Sequence, residues 1–288
     1  MTALLFLSAT LAGSTLGQLP IDRELSKEGA SSESAQGLAF GDDHWYYANS
    51  STIYRLNSEF RSTDRQMDIS KLDLGARCEH AGGIDYFARE ILVAVDSCTD
   101  EQARLVVLDN ELNLMRWATT PALKGSMPWV AVDPTEAGYF YSVHPNKKSM
   151  LAFPLGFSPG SALMAAKEVA FDVHPMEVLS HFWSQGGAFD REGRFFRVVD
   201  DAHQDHSPHT GIWIYETDDE IARKTESIPI SYDPDQWVPL LCGFKQCKRR
   251  GELEDVHVEN GMGGVGIYVL FLNNEADEDD VSVMSFHR

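Results

Sequence analysis

Two stretches decide the fold. Gln36-Gly37-Leu38-Ala39-Phe40 runs through Gly41-Asp42-Asp43-His44 into Trp45-Tyr46-Tyr47-Ala48. Gln185-Gly186-Gly187-Ala188-Phe189 runs through Asp190-Arg191-Glu192-Gly193 into Arg194-Phe195-Phe196-Arg197. They align without a gap, and each reads as a strand, a tight polar turn and a second strand. Related units begin at His80-Ala81-Gly82-Gly83-Ile84-Asp85-Tyr86, Pro128-Trp129-Val130-Ala131-Val132-Asp133 and Leu253-Glu254-Asp255-Val256-His257-Val258. A third short strand follows in each unit: Thr52–Leu56, Arg104–Asp109, Met150–Phe153, Gly211–Glu216 and Val281–Phe286.

Anchored on Leu38, Ile84, Val130, Ala188 and Val256, the units are 46, 46, 58 and 68 residues apart. Repeats of that length carrying several strands are the signature of propeller blades, which stack because one blade cannot bury both of its faces alone. The reading is an all-β protein, a β-propeller of five four-stranded blades. The long interval from Ala188 to Val256 leaves room for a degenerate sixth. Ring closure is expected to pair a segment near Leu19–Leu25 with Val281–Phe286. Residues 160–169 read as a short helix or a loop. A β-sandwich is the competing architecture.

Residues 1–17, MTALLFLSATLAGSTLG, hold no charged side chain. An apolar heart at Leu4–Leu11 and small residues at Thr15 and Gly17 fit a secretory signal peptide cut before Gln18. Residues 18–288 then form a single domain in a secreted protein or the secretory-pathway lumen, and no later run is long enough to span a bilayer. Four cysteines suit that oxidising compartment. Of the three pairings they allow, Cys78–Cys98 and Cys242–Cys247 are favoured, because each brackets one local loop. Asn49-Ser50-Ser51 is a glycosylation sequon.

The chain has 288 residues and a net charge of -20, from 24 Lys plus Arg against 44 Asp plus Glu. That field disfavours nucleic acid and anionic lipid as partners. The sequence does not fix an oligomeric state. The polar residues at the unit starts should converge on the propeller axis: Gln36, Glu79 with His80, Gln185, and Glu254 with Asp255 and His257. His80, Gln185, His257 and Glu254 are the candidate catalytic residues. Glu79 and His80 are neighbours on a strand and point to opposite faces, so His80 is expected to meet another blade, at Glu254 or His257. Gln36, Met127, Trp129, Phe182 and Trp183 are the candidate substrate-binding residues. The His203, His206 and His209 segment has donors for a metal but reads as a solvated loop, as does the acidic run 275–280, so no metal site is assigned. No nucleophile elbow, Walker loop or dinucleotide fingerprint occurs.

Signal peptide, all-β domain and repeated Gly-rich strand starts at Gln36–Phe40, His80–Tyr86 and Gln185–Asp190 together resemble the small secreted fungal β-propeller hetero-Diels–Alderases of tropolone-sesquiterpenoid biosynthesis. That resemblance covers most of residues 30–288. It implies a stereoselective cyclisation between a tropolone quinone methide and a humulene-type alkene, with small apolar substrates and no cofactor. Two other readings stand beside it. One is a carbohydrate-binding propeller, which would keep one site per blade. The other is a calcium-dependent lactonase or strictosidine-synthase-like enzyme, built on Glu79, Glu254 and Asp255.

Overall fold

The computed structural model describes residues 15–19, 35–172, 182–201, 211–230, 251–261, 264–274 and 279–287. Among these there is no α-helix, only strands and three short 3-10 turns. The chain is a β-propeller. Its first unit is β2 (Gly37–Gly41), β3 (His44–Ala48), β4 (Thr52–Asn57) and β5 (Thr63–Asp68), paired antiparallel in that order. The second is β6 (Cys78–Phe87), β7 (Glu90–Cys98), β8 (Arg104–Asp109) and β9 (Leu114–Thr119). The third contains β10 (Ala131–Val132), β11 (Tyr139–Val143), β12 (Ser149–Pro154) and β14 (Lys167–Asp172). The small β13 (Ser161–Ala162) runs parallel to β9, so part of the expected helix or loop at 160–169 is strand.

The fourth unit is β15 (Phe182–Phe189), β16 (Arg194–Asp201), β17 (Gly211–Thr217) and β18 (Ile221–Pro229). A parallel contact between β14 and β18 joins the third and fourth units into one hydrogen-bonded sheet. The last unit is β19 (Gly251–Gly261), β20 (Gly264–Asn274) and β21 (Asp279–His287), completed by β1 (Thr15–Leu19). Thr15 lies opposite His287 and Leu19 opposite Val283. Ring closure therefore uses the expected C-terminal strand, but its partner lies several residues earlier than Leu19–Leu25 and spans the expected signal-cleavage point after Gly17. Residues 231–250, where a further unit would have to fit, lie outside the described residues.

Among the described residues five apolar clusters lie between neighbouring units. Tyr46 and Ile53 pack on Ile84, Ile91 and Val106 between the first and second. Leu92, Leu105 and Val107 meet Phe140 and Phe153 between the second and third. Trp129, Tyr141 and Met150 meet Phe195, Trp213 and Tyr215 between the third and fourth. Phe196, Val198 and Ile212 meet Val256, Val269 and Phe286 between the fourth and last. Leu38, Trp45 and Tyr47 pack on Leu270, Leu272 and Val283, joining the last to the first. Period-two alternation explains this division. On β3, Trp45 and Tyr47 point to one neighbour while Tyr46 and Ala48 point to the other. Burying each large apolar side chain contributes about 1.5–3 kcal/mol.

The axis itself is closed by backbone. A methyl group on Gly186 would sit 2.5 Å from the Asp255 Cα, and one on Gly82 would sit 2.5 Å from the Pro128 carbonyl oxygen. Only glycine permits inner strands to approach so closely. The Gly-rich strand starts thus serve tight axial packing, and they do not line an open channel.

Candidate functional site

Each inner strand passes through the axial constriction, so residues before it and after it face opposite ends of the propeller. Gln36, His80, Ser126 and Gln185 precede it. Phe40, Tyr86, Phe189 and His257 follow it. The constriction is sealed by Asp255, a carboxylate only 1% exposed. It accepts from the backbone N–H groups of Leu38 (3.0 Å), Ile84 (3.3 Å) and Val256 (2.9 Å), tying the last unit to the first two. Burial holds the Asp255 carboxyl well above the usual carboxylate range, against the opposing pull of those three N–H groups. The calcium reading needs Asp255 as a free ligand, and here the backbone occupies it. Glu79, the second carboxylate of that reading, instead pairs with Arg77 at the surface (2.8 Å).

His80 is fixed on β6 opposite Asp96 on β7. Its Nδ1 donates to Asp96 Oδ1 at 2.7 Å, and its Nε2 lies 3.1 Å from Gln36 Oε1. Asp96 Oδ2 accepts from the Met127 N–H at 3.2 Å, so the element reaches three units. The Cys78–Cys98 disulfide joins the same two strands, one pleat further out. His80 therefore pairs with Asp96 on its neighbour strand and with Gln36 from another unit; Glu254 and His257 are not its partners.

Those two residues are placed elsewhere. His257 packs past the constriction among Phe40, Trp45 and Tyr268, and burial lowers its imidazole to about 4. A ring held neutral in an aromatic cluster is a packing element. Glu254 is 3% exposed, inside the protein beside Tyr47. The expected apolar walls also move inward. Met127 and Trp129 are fully buried in the cores between units, and Trp129 donates through Nε1 to Ser184 Oγ at 3.1 Å. Phe182 and Trp183 lie on β15, but their side chains fall outside the described residues, as do Cys242, Cys247, His203, His206 and His209.

Gln185, on β15 just before the tight contact at Gly186, opens onto a hollow, the mouth. It lines a cavity of about 300 Å³ with Ser126, Pro128, Val143, His144, Pro145, Lys147 and Ser184. Pro128, Val143 and Pro145 supply its apolar surface, and Ser126, Ser184, Gln185, His144 and Lys147 its polar residues. No carboxylate is among these lining residues, in a protein of net charge -20. A larger polar hollow of about 450 Å³ lies away from the axis, on the outer strands β4 and β5. Asp96, Ser126, Lys147, Ser184 and Arg197 carry no sequence signal of their own that marks them as site residues. One of them was within reach indirectly: if Cys78 pairs with Cys98, two residues inward on each antiparallel strand bring His80 to Asp96.

Asn49 does not offer itself to a glycan. It is 2% exposed, its Oδ1 accepts from the Ser51 and Thr52 N–H groups, and its Nδ2 donates to the Tyr54 hydroxyl. The sequon asparagine is the inward-facing cap of a turn. Among the described residues no helix is long and apolar enough to cross a membrane.

No family model and no curated protein matches the chain. Solved structures do. Glutaminyl cyclase of Myxococcus xanthus superposes with a TM-score of 0.53 at 12% identity, over 94% of this chain and 97% of that one. A structural-genomics protein assigned as a gluconolactonase gives 0.53 at 9%, over 96% and 92%. The tail fiber of Staphylococcus aureus phage P68 gives 0.55 at 11%, over 95% of this chain and 52% of that one. These likenesses establish the propeller fold. Two enzymes and a phage fiber on one scaffold leave function to be argued from the site.

Proposed function

We propose that this protein is a propeller enzyme of the secretory pathway that works at its mouth by orientation and hydrogen bonding. The reaction we propose is the hetero-Diels–Alder cyclisation between a tropolone quinone methide and a humulene-type alkene. In that step one C–C and one C–O bond form as π bonds are consumed, and no electron, proton or group leaves, so the protein's work is to align two partners and to stabilise charge gathering on oxygen.

The observation that supports this reading is the mouth cavity, whose lining combines the apolar Pro128, Val143 and Pro145 with the polar Gln185, Ser184, His144 and Lys147. Apolar walls suit a hydrocarbon partner, and a donor-rich face without a carboxylate suits an oxygen that becomes electron-rich. Gln185 is the proposed donor to that oxygen. His80 and Gln36 flank the mouth, and a substrate reaching His80 Nε2 has to displace Gln36. Residues 1–17 and the Cys78–Cys98 bridge support export through an oxidising compartment. A lectin would repeat one site per unit, whereas the units present different residues at the mouth.

The test is an incubation with quinone methide generated in situ and humulenol, with product isomers resolved on a chiral column. The expected outcome is one enriched stereoisomer, with the enrichment lost in Gln185→Ala. An isomer ratio equal to that without protein refutes the reaction.

A further inference from the structure

Arg197 on β16 is a guanidinium only 4% exposed, and no carboxylate pairs with it among the described residues. Its Nε donates to Ser184 Oγ at 2.9 Å, its Nη2 to the Lys147 carbonyl at 3.3 Å, and its plane lies 4.4 Å from the Phe171 ring centre. A buried cation without a counter-ion is costly to the fold. Lys147 stands beside it, also without an ion-pair partner among the described residues, in a left-handed turn conformation (φ 60°). Burial first, and Arg197 second, hold the Lys147 ammonium below its ordinary value. Two cations thus share one end of a protein that carries twenty excess negative charges.

Ser184 gives the arrangement its direction. Its Oγ accepts from both Trp129 Nε1 and Arg197 Nε, which fills both lone pairs. Its hydroxyl hydrogen is left to donate, and the side chain lines the mouth cavity. Ser184, Lys147 and the Gln185 amide therefore offer donors there, with Arg197 behind Ser184.

We propose that Ser184, Lys147 and the underlying Arg197 form a binding site for the anionic oxygen of a small organic acid, a carboxylate or an acidic enolate, whose carbon frame rests on Pro128, Val143 and Pro145. The site rests on the proposed use of this cavity, but not on the reaction assigned to it. Apolar walls favour an organic acid over an inorganic anion.

The test is isothermal titration of the full protein near neutral pH with benzoate, benzamide and inorganic phosphate. Benzoate is expected to bind about tenfold more tightly than its neutral isostere, and more tightly than phosphate. That preference should shrink between about 0.05 and 0.5 M salt, because the charges are screened. Lys147→Gln should erase the preference while the thermal midpoint holds. Equal binding of benzoate and benzamide, stronger binding of phosphate, no binding of any probe, or a preference that survives in a folded Lys147→Gln each overturns the site. The salt series on the wild-type protein decides the matter even if that variant does not fold. Benzoate preference without any cyclisation refutes the reaction and leaves the site standing, and cyclisation without the preference does the reverse.

Discussion

Replacing Asp255 by Ala should unlatch the axis. The carboxylate satisfies the Leu38 and Ile84 N–H groups from across the ring, and both amides sit where the inner strands exclude water. Each buried N–H left without a partner costs about 1–3 kcal/mol, so the two together cost about 2–6 kcal/mol. In a protein of this size that lowers the thermal midpoint by about 3–10 °C. Asp255→Asn should cost less, because the amide oxygen can still accept from Leu38 and Ile84, and only the local bond from Val256 is lost. Acid gives a second, signed readout. Burial raises the folded-state pKa of Asp255 above its unfolded value, so the native state binds the proton more tightly. The stabilisation this provides is full below the unfolded carboxylate pKa of about 4 and is lost as pH rises through the folded pKa. Between neutrality and about pH 4, the wild-type protein should therefore gain stability relative to Asp255→Asn. Asp85, which burial raises to about 7, repels Asp255 in the wild-type protein alone; acid relieves that repulsion too, so it acts in the same direction. Urea unfolding of the three proteins across that range is the assay. An Asp255→Ala midpoint within error of wild type, or an Asp-minus-Asn difference that falls on acidification, refutes the latch.

Gly186→Ala should destabilise by about 1–3 kcal/mol or more, because the new methyl meets the Asp255 backbone. Gly138→Ala, where nothing lies within 4 Å of the added atom, should leave the unfolding midpoint unchanged, and equal effects from the two would count against axial crowding. The Cys78→Ser/Cys98→Ser double variant opens a loop of 20 residues and should lose about 3 kcal/mol in urea unfolding. A loss below about 1 kcal/mol would mean that the bridge adds little to a register already set by strand pairing.

Much of the architecture was legible because burial writes a period into the chain. The five anchors Leu38, Ile84, Val130, Ala188 and Val256 are all buried. The third strands fall within two residues of their expected ends. The outermost strands were not legible. Thr63–Asp68 reads Thr-Asp-Arg-Gln-Met-Asp and is largely exposed, so no apolar alternation marks it, and only hydrogen bonds to β4 make it a strand. The glycines of the repeated strand starts are where strands touch, a close approach that no local pattern announces. Asp255 could not be assigned as a latch from its neighbours, because its partners lie 217 and 171 residues away. Lys147 and Arg197 were hidden for a related reason. A cation is informative when it lacks a counter-ion, and that is a property of space, not of sequence.

The pairing of Thr15–Leu19 with Asp279–His287 sets a timetable as well as a shape. The earlier units are built largely of antiparallel strands close together in the chain, so each can form soon after its own residues leave the ribosome. The last sheet cannot, because its edge is made early and its partner is made last. The ring is therefore clasped only after synthesis through His287 is finished, and until then β21 presents an unpaired edge that another chain can take. Removal of residues 1–17 would take Thr15, Leu16 and Gly17 from that clasp and leave only Gln18 and Leu19 opposite Met284 and Val283.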